Sequence, residues 1–312
     1  MTTSVTCAPL AGLESIGLAE LVERAALQTR VDRKYLLPVD VMWAVLDQVD
    51  PTTRVLEIDG ARSFAYQSTY FDTPDLTSYL LTAQRRRRRF KIRTRTYLDS
   101  ALCWLEVKTQ GGRGNTVKNR LPYQPDHEHV LTPGLEFVED VLARESIPLA
   151  GPAEFVPTLV TRYRRSTLFL PATTSRVTVD TELVWQDTGS AALRLPGLAV
   201  VETKTGSTAS AVDRLLWARG HRPIRISKYA TGLAALRPEL PAAPWRRTLR
   251  RHFVPFTADH RHPRPSPSPS PSASPPPSPP PSDGRHAASV PPSAVCHPSV
   301  AGPARPLEPE TE

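Results

Sequence analysis

The stretch that decides the fold is Arg89-Phe90-Lys91-Ile92-Arg93-Thr94-Arg95-Thr96-Tyr97, in the first half of the chain. Successive side chains of a β-strand point to opposite faces, so the four cations of this stretch share one face. A second stretch, Trp104-Leu105-Glu106-Val107-Lys108-Thr109, alternates in the same way, with a carboxylate and a lysine opposite two apolar residues. One such strand is common on a protein surface, and by itself it indicates little about function.

The same alternation recurs in residues 176–180 and 200–204, which read RVTVD and VVETK. Several charged strands in one domain predict a closed sheet whose charged faces point inward and whose apolar faces point outward. We therefore expect an α+β protein with an antiparallel β-barrel tunnel, a charged lumen and flanking helices. A cationic lumen that also holds a few carboxylates is suited to a polyanion and its metal ion.

The composition is moderately basic, because 39 Lys+Arg face 31 Asp+Glu in 312 residues, a net charge of +8. Much of the excess is local, in the run Arg85 to Arg89 and in Arg246, Arg247, Arg250 and Arg251. A basic balance predicts an anionic partner, and it leaves nucleic acid, a nucleotide, a phosphate polymer and a membrane surface all open.

Cysteine usage and the chain's hydropathy indicate a compartment. Cys7, Cys103 and Cys296 are scattered and odd in number, so they form neither a metal-ligand spacing nor a disulfide framework, which favours a reducing cytoplasm. The N-terminal residues lack the basic start and apolar core of a signal peptide. No run approaches the roughly 20 apolar residues that span a bilayer. We expect a cytoplasmic protein without a transmembrane segment.

Four parts are expected along the chain. Residues 1–28 would contain a lead-in helix, residues 29–237 the folded core, residues 238–261 a basic extension and residues 262–312 a disordered tail. The tail is set apart by composition, since residues 263–312 hold 17 of the 34 prolines, mostly in Ser-Pro and Pro-Pro repeats. So few apolar residues cannot offset the entropy cost of ordering the segment.

Hydrophobic periodicity and turn signals predict the elements of the core. Helices are expected at Leu18–Ala26, Pro38–Val49, Leu135–Arg144, Ser210–Arg219 and Tyr229–Leu236. Besides the two opening stretches, strands are expected at Arg30–Leu37, Ser68–Asp72, Thr158–Leu170, Arg176–Trp185 and Leu198–Thr205.

Five segments in order carry a resemblance to a known family. They are residues 30–35 (RVDRKY), 70–74 (YFDTP) with 91–97 (KIRTRTY), 105–108 (LEVK), 163–165 (YRR) with 176–180 (RVTVD), and 201–204 (VETK) with 227–229 (SKY). This ordered set resembles the VTC domain, the polyphosphate polymerase domain of the vacuolar transporter chaperone complex. That domain belongs to the triphosphate tunnel metalloenzyme, or CYTH-like, superfamily. The resemblance covers the whole expected core, residues 29–237, and implies that this core is a VTC-like tunnel domain.

The resemblance implies an activity, the transfer of the ATP γ-phosphate onto a growing polyphosphate chain with a divalent metal, Mn²⁺ or Mg²⁺. Carried onto this sequence, it implies catalytic cations at Lys34, Arg93, Arg95, Lys108, Arg165, Arg176, Lys204 and Lys228. Further phosphate contacts would come from Arg89, Lys91, Lys118, Arg225 and Ser227. Glu202 would be the principal metal carboxylate, assisted by Glu106 and Asp180. Such a set fits phosphoryl transfer, which needs positioning and charge neutralisation more than covalent chemistry.

One departure from the superfamily pattern concerns its opening motif, Glu-x-Glu-x-Lys. Here the corresponding residues are Arg30, Asp32 and Lys34. Arginine cannot ligate a cation, and aspartate is one methylene shorter than glutamate. The change fits the polymerase branch better than the triphosphatase branch, and it leaves the role of Asp32 open.

Other interpretations of these residues remain open. The same fold could hydrolyse triphosphate or short polyphosphate, or sense polyphosphate or nucleotides without catalysis. A nucleic-acid binder would need aromatic side chains on the basic face, where these strands offer Thr, Ile and Val. Charged strand pairs could also merely stabilise a sheet. The expected partners are ATP and polyphosphate rather than a specific nucleic acid; a membrane-protein subunit and proteins that bind the Pro-rich tail are left open.

Overall fold

The computed structural model describes residues 8–24, 31–110, 116–147, 149, 151, 154–189 and 191–253. The chain divides into two units, residues 1–262 and 263–312, and the second unit lies wholly outside the described residues. The expectations for Arg30 and for the Pro-rich tail therefore also fall outside them.

The described core contains helices and strands in an α+β arrangement, as expected. The helices are α1 (Ala8–Ala11), α2 (Leu18–Arg24), α3 (Val39–Leu46), α4 (Thr77–Ala83), α5 (Leu135–Arg144), α6 (Ala211–Ala218), α7 (Lys228–Leu236) and α8 (Arg246–His252). The strands are β1 (Glu14–Ile16), β2 (Val31–Pro38), β3 (Arg54–Leu56), β4 (Phe64–Asp72), β5 (Arg89–Tyr97), β6 (Leu102–Gln110), β7 (Thr116–Tyr123), β8 (Val156–Leu170), β9 (Ser175–Asp187), β10 (Ala192–Leu195) and β11 (Leu198–Thr205).

One large sheet runs in the order β2-β11-β9-β8-β4-β5-β6-β7, and every neighbouring pair on this path is antiparallel. The expected closed barrel needs a correction, because β2 and β7 end the path and do not pair with each other in the described residues. The sheet is nevertheless strongly curved. Lys108 on β6 lies close enough to Lys34 and Asp32 on β2 for both to affect its pKa, although five strands separate β6 from β2 along the path.

The period-two pattern of β5 is present in the structure. Residues along this strand alternate between partly exposed and buried, and Ile92 is fully buried. Ile92 belongs to an apolar cluster with Leu105 and Val107 of β6 and Val138 and Leu142 of α5. The outer face of this part of the sheet is therefore covered by α5, and the charged residues of β5 lie on the concave face.

A second outer cluster covers the other half of the sheet. There α3 and α6 pack on β2, β9 and β11, with Met42, Val45, Leu216 and Val201 among the buried residues. A capping box starts α6: the side chain of Ser210 accepts a hydrogen bond from the Asp213 N–H, and the Asp213 carboxylate accepts one from Ser210.

Helix α7 lies on the concave side, where one end of the sheet is apolar. Leu183 and Trp185 of β9 share the inward face with the charged residues of that strand, and they form one cluster with Tyr229 and Leu233 of α7. Gly232 allows the close approach, because a Cβ there would lie 2.2 Å from Cδ1 of Trp185. The helix thus fills one end of the concave face and leaves the charged end for a ligand.

The segment that was expected as a basic extension is described up to Phe253. Its Trp245 and Phe253 are buried in the same cluster as α7, against Tyr79 (ring centroids 5.9 Å apart) and Trp185 (5.7 Å). Among the described residues, no helix has both the length and the hydropathy that crossing a bilayer requires.

Candidate functional site

The charged end of the concave face gathers most of the residues singled out in the sequence. We call this set the charged face; its members are Lys34, Lys91, Arg93, Arg95, Glu106, Lys108, Lys118, Arg165, Arg176, Asp180, Glu202, Lys204 and Lys228. Seven strands and the start of α7 contribute to it. All six lysines of the chain belong to it, although the chain has 39 basic residues.

A first carboxylate, Glu106, is gripped by an arginine fork. Arg93 donates from Nε (2.8 Å) and Nη2 (2.6 Å) to Oε2 of Glu106. Arg95 Nη1 and Lys118 Nζ each lie 3.8 Å from Oε1. Burial would raise the pKa of Glu106, but these cations outweigh it and hold the pKa well below its usual range. The pairing follows directly from the register, in which Arg93 and Glu106 face each other.

A second carboxylate, Asp180, has a fork of its own. Arg165 donates from Nε to Oδ1 (2.6 Å) and from Nη2 to Oδ2 (2.9 Å), and Lys228 Nζ donates to Oδ2. Burial would raise the pKa of Asp180, but Arg165 and Lys228 lower it to about 2. Both oxygens of this carboxylate are therefore occupied by cationic donors.

Glu202 is held differently. Its closest cation is Lys34, whose Nζ lies 3.6 Å from Oε1, beyond hydrogen-bond distance. No hydrogen bond to this carboxylate forms within the described part of the chain, and its side chain is 16% exposed. Burial opposes its ionisation, yet Lys34, Lys204, Arg165 and Lys228 together lower its pKa below the ordinary range. Glu202 is thus an ionised, largely buried carboxylate whose oxygens remain available.

Several lysines of the charged face are crowded by other cations. Burial, followed by repulsion from Lys34 and Lys108, lowers the pKa of Lys91 well below its ordinary value. Burial and repulsion from Arg176 lower the pKa of Lys204 to about 7, with Glu202 opposing the change. A bound polyanion would relieve this repulsion and restore the charged forms.

The start of α7 brings a hydroxyl and a lysine into the charged face. Ser227 precedes the helix, and its Oγ accepts hydrogen bonds from the N–H of Ala230 (3.2 Å) and from Nζ of Lys91 (3.0 Å). Lys228 opens the helix, and its carbonyl accepts a hydrogen bond from Nε1 of Trp185 (2.7 Å). The packing of α7 therefore fixes two of the expected phosphate contacts.

The remaining expected residues lie toward the periphery. Arg225 is exposed; it lies close enough to Arg89, the first residue of β5, to add to the effect of burial in lowering the pKa of Arg89. Arg176 faces Lys204 in the register of β9 and β11, and Asp32 faces Lys204 from β2. Lys118 on β7 has a half-exposed side chain.

Comparison with known proteins identifies the family. The family model of the VTC domain matches residues 29–237, most of the chain.

This chain belongs to the VTC domain family.

Solved structures similar to this VTC domain are distant in sequence. A "putative adenylyl cyclase" from Hippeastrum, described as having a dominant triphosphatase activity, is 17% identical; the match covers 65% of this chain and 94% of that one, with a TM-score of 0.43. A "putative adenylate cyclase" from Bacillus halodurans is 13% identical over 65% and 96% of the two chains, with a TM-score of 0.43. A protein from Pyrococcus horikoshii is 12% identical over 67% and 98%, with a TM-score of 0.38. A search of curated proteins finds no match.

The tyrosines on the concave face of the VTC domain were not predicted as site residues. Tyr66 and Tyr163 stack with ring centroids 5.3 Å apart, and the guanidinium of Arg165 lies 5.3 Å from each ring centroid. Lys228 Nζ lies 4.3 Å from the Tyr163 ring. Strand parity could have identified Tyr163, because it precedes Arg165 by two residues and therefore lies on the same face of β8. These rings pack against the guanidinium of Arg165 and hold its orientation.

Buried polar atoms on the concave face are left without hydrogen-bond partners in the described part of the chain. They are Ser68 Oγ, Arg95 Nε, Thr161 Oγ1, Tyr163 Oη and Thr178 Oγ1. Leaving such atoms unpaired costs free energy, so they mark places that water or a polar ligand fills. A phosphate chain on the charged face would offer acceptors to several of them.

Within the described residues, no three His, Cys, Asp or Glu side chains form a group that could hold a metal ion alone. That is compatible with Mg²⁺ or Mn²⁺ in a phosphate site, where one or two carboxylates, waters and substrate oxygens complete the coordination. Both oxygens of Glu202 are free of hydrogen bonds within the described residues, whereas both oxygens of Asp180 and Oε2 of Glu106 accept hydrogen bonds from cationic side chains.

A separate cavity of about 350 Å³ lies beside the ends of β8 and β9 and is lined by His129, Arg162 and Asp187 among others. Its charged groups are already paired: Arg162 donates to Gln67, and Asp187 accepts two hydrogen bonds from Arg237. The charged face is therefore the better candidate for the functional site.

Proposed function

We propose that this VTC domain is a metal-dependent polyphosphate polymerase that transfers the γ-phosphate of ATP to the end of a polyphosphate chain. The observation that carries the proposal is the contrast among three carboxylates on one cationic face. Asp180 accepts hydrogen bonds at both oxygens and Glu106 accepts two at Oε2, whereas Glu202 accepts none in the described part of the chain. A cationic face with one open carboxylate suits a triphosphate that brings its own metal ion.

In this proposal the arginine forks place positive charge before substrate arrives. Glu106 and Asp180 fix Arg93 and Arg165 in orientation, so their unengaged N–H groups can donate to phosphate oxygens at little further cost in entropy. In this proposal Glu106 and Asp180 serve chiefly to orient the arginines, and the role of assisting at the metal, expected for them from the sequence, stays a prediction. Lys34, Lys108 and Lys204 would act as point charges.

The transfer itself needs little from the protein beyond alignment. A terminal oxygen of the polyphosphate chain attacks the γ-phosphorus, the new P–O bond forms, and the bond to the bridging oxygen of ADP breaks. Charge on the transferred group would be neutralised by Arg93, Arg95 and Arg165. Glu202 would hold the divalent metal, which would supply further neutralisation of the phosphate charge.

The alternatives within the family give different products. We would incubate the purified protein with ATP and Mn²⁺ and separate ADP, free phosphate and polymer. Polymer with ADP is the expected result. Free phosphate without polymer would replace the proposal with a triphosphatase, and the absence of turnover together with tight polyphosphate binding would replace it with a sensor.

The assignment of Glu202 as the metal ligand can be tested by removing its charge and measuring the turnover of ATP. Glu202→Gln keeps the size of the side chain and should lower the turnover of ATP at least tenfold, a barrier increase of about 1.4 kcal/mol or more. Its melting temperature should stay near that of the unmodified protein. Unchanged turnover with unchanged metal dependence would place the metal elsewhere.

A further inference from the structure

A band of exposed arginines runs along one edge of the domain next to the charged face. We call it the arginine rim; its members are Arg85, Arg86, Arg87, Arg88, Arg225, Arg246, Arg247, Arg250 and Arg251. All nine are exposed, and none forms an ion pair within 4 Å in the described part of the chain. The cations of the charged face differ, because most of them lie against Glu106, Asp180 or Glu202.

Contacts among three segments join the rim into one surface. Arg89 donates from Nη1 to the carbonyl of Arg86 (2.7 Å), and Arg89 and Arg225 repel each other. The carbonyl of Arg225 in turn accepts a hydrogen bond from Oγ1 of Thr248 on α8 (3.5 Å). The turn before β5, Arg225 and α8 are therefore neighbours.

The same contacts join the rim to the charged face. Arg89 is the first residue of β5 and repels Lys91, two residues farther along the inward face of the strand. The described contacts thus link cation to cation from Lys91 through Arg89 and Arg225, whose carbonyl contacts α8. Helix α8 lies beyond residues 29–237, the part that the family model matches.

Helix α8 presents its arginines outward and its apolar side inward. Thr248 and Phe253 are buried, whereas the four arginines are exposed. No apolar face is left over for insertion into a bilayer, which an interfacial helix needs. Trp245 and Phe253 are buried as well, so the helix offers no aromatic platform on which bases could stack.

We propose that the arginine rim is a second binding site for polyphosphate, which holds the part of a long chain that extends beyond the charged face. The proposal rests on the proposed function for the identity of the ligand. A flexible linear polyanion can follow the continuous band of charge, and it releases counterions from each phosphate that the rim neutralises. Triphosphate, which the charged face accommodates, is too short to gain from the rim.

The experiment compares the affinities of triphosphate and long-chain polyphosphate at several salt concentrations. The rim variant carries Arg246→Gln, Arg247→Gln, Arg250→Gln and Arg251→Gln. The control variant removes the same charge from four exposed arginines on other elements, with Arg24→Gln, Arg144→Gln, Arg194→Gln and Arg214→Gln. Binding without turnover is measured, so the result does not depend on which reaction the domain catalyses.

We expect the rim variant to lose at least tenfold in affinity for the long chain and to show a salt dependence that is shallower by up to about three units of slope. Its affinity for triphosphate should stay within twofold, and the control variant should bind both ligands nearly as the unmodified protein does. Equal losses in the two variants, or equal losses for both ligands, would overturn the proposal.

A double-stranded DNA of matched charge separates polyphosphate from nucleic acid. If DNA binds the unmodified protein as tightly as long-chain polyphosphate and is lost equally in the rim variant, the rim is a nucleic-acid surface and the proposal is wrong. If no polymerase activity is found but the rim variant still loses only long-chain binding, the rim proposal stands and the proposed function fails.

Discussion

The two arginine forks and Glu202 lie on one concave face, yet their carboxylates are held in opposite ways. Glu106 and Asp180 each accept two hydrogen bonds from one guanidinium at 2.6–2.9 Å, whereas the Lys34 ammonium stays 3.6 Å from Glu202. A carboxylate in a fork is part of the scaffold that orients cations. A carboxylate with only a distant lysine is available to a ligand, and this difference assigns the chemistry.

This contrast predicts that removing the charge of a carboxylate held by an arginine fork mainly lowers the stability of the fold. Asp180→Asn should leave Arg165 and Lys228 buried without their counter-charge, and such losses cost about 3–5 kcal/mol. Chemical denaturation should therefore show a large fall in the free energy of unfolding. Glu202→Gln breaks no hydrogen bond and should change that free energy little.

Asp187 and Arg237 provide the matched control for that prediction. They form a fork with two hydrogen bonds of 2.7 Å outside the charged face, and the Arg237 side chain is 29% exposed. Asp187→Asn should cost less, about 1–3 kcal/mol, with triphosphate affinity retained. Equal destabilisation by Asp180→Asn and Glu202→Gln would remove the distinction between the two kinds of carboxylate.

The next prediction separates the two faces of β5. Ile92→Ala removes a fully buried outer side chain that packs under α5, and it should cost about 2–5 kcal/mol of stability while triphosphate affinity is kept in the folded protein. Arg95→Ala should instead lower the affinity for triphosphate in a binding assay, with little loss of stability. If Ile92→Ala abolished binding in folded protein and Arg95→Ala did not, the faces would be assigned the wrong way round.

Strand parity made the charged face predictable, whereas long-range geometry did not follow from it. Alternation in β5 and β11 places Arg93, Glu202 and their neighbours inward, because the period of a strand is fixed at two. Alternation says nothing about whether the edge strands meet, so the open ends at β2 and β7 were missed. It also cannot show that α7 lies on the concave side, since the helix alone looks like any short amphipathic helix.

Composition carried one further signal that points to the site. The chain uses arginine almost everywhere, and its six lysines all fall on the charged face. Lysine offers a compact, strongly hydrated charge whose pKa shifts readily on burial, which arginine does not. The tyrosines were missed because Tyr66 and Tyr163 read as ordinary core residues until the register brings them beside Arg165.

A smaller effect concerns protons. Burial holds the pKa of Lys204 at about 7, so near pH 8 the lysine is mostly neutral in the free protein. A bound triphosphate raises that pKa, so binding should take up protons and affinity should fall as the pH rises above about 7. Calorimetry in two buffers of different protonation enthalpy measures the uptake. Lys204→Arg should take up fewer protons; equal uptake would assign the proton to another group.

The most direct test is Mn²⁺ binding in the presence of triphosphate, followed by the electron paramagnetic resonance signal of the free ion. Glu202→Gln should weaken Mn²⁺ binding at least tenfold, whereas Glu106→Gln, compared in protein shown to be folded, should leave it nearly unchanged. Retained Mn²⁺ binding in Glu202→Gln together with its loss in Glu106→Gln would contradict the account, since the fork carboxylate would then be the metal ligand.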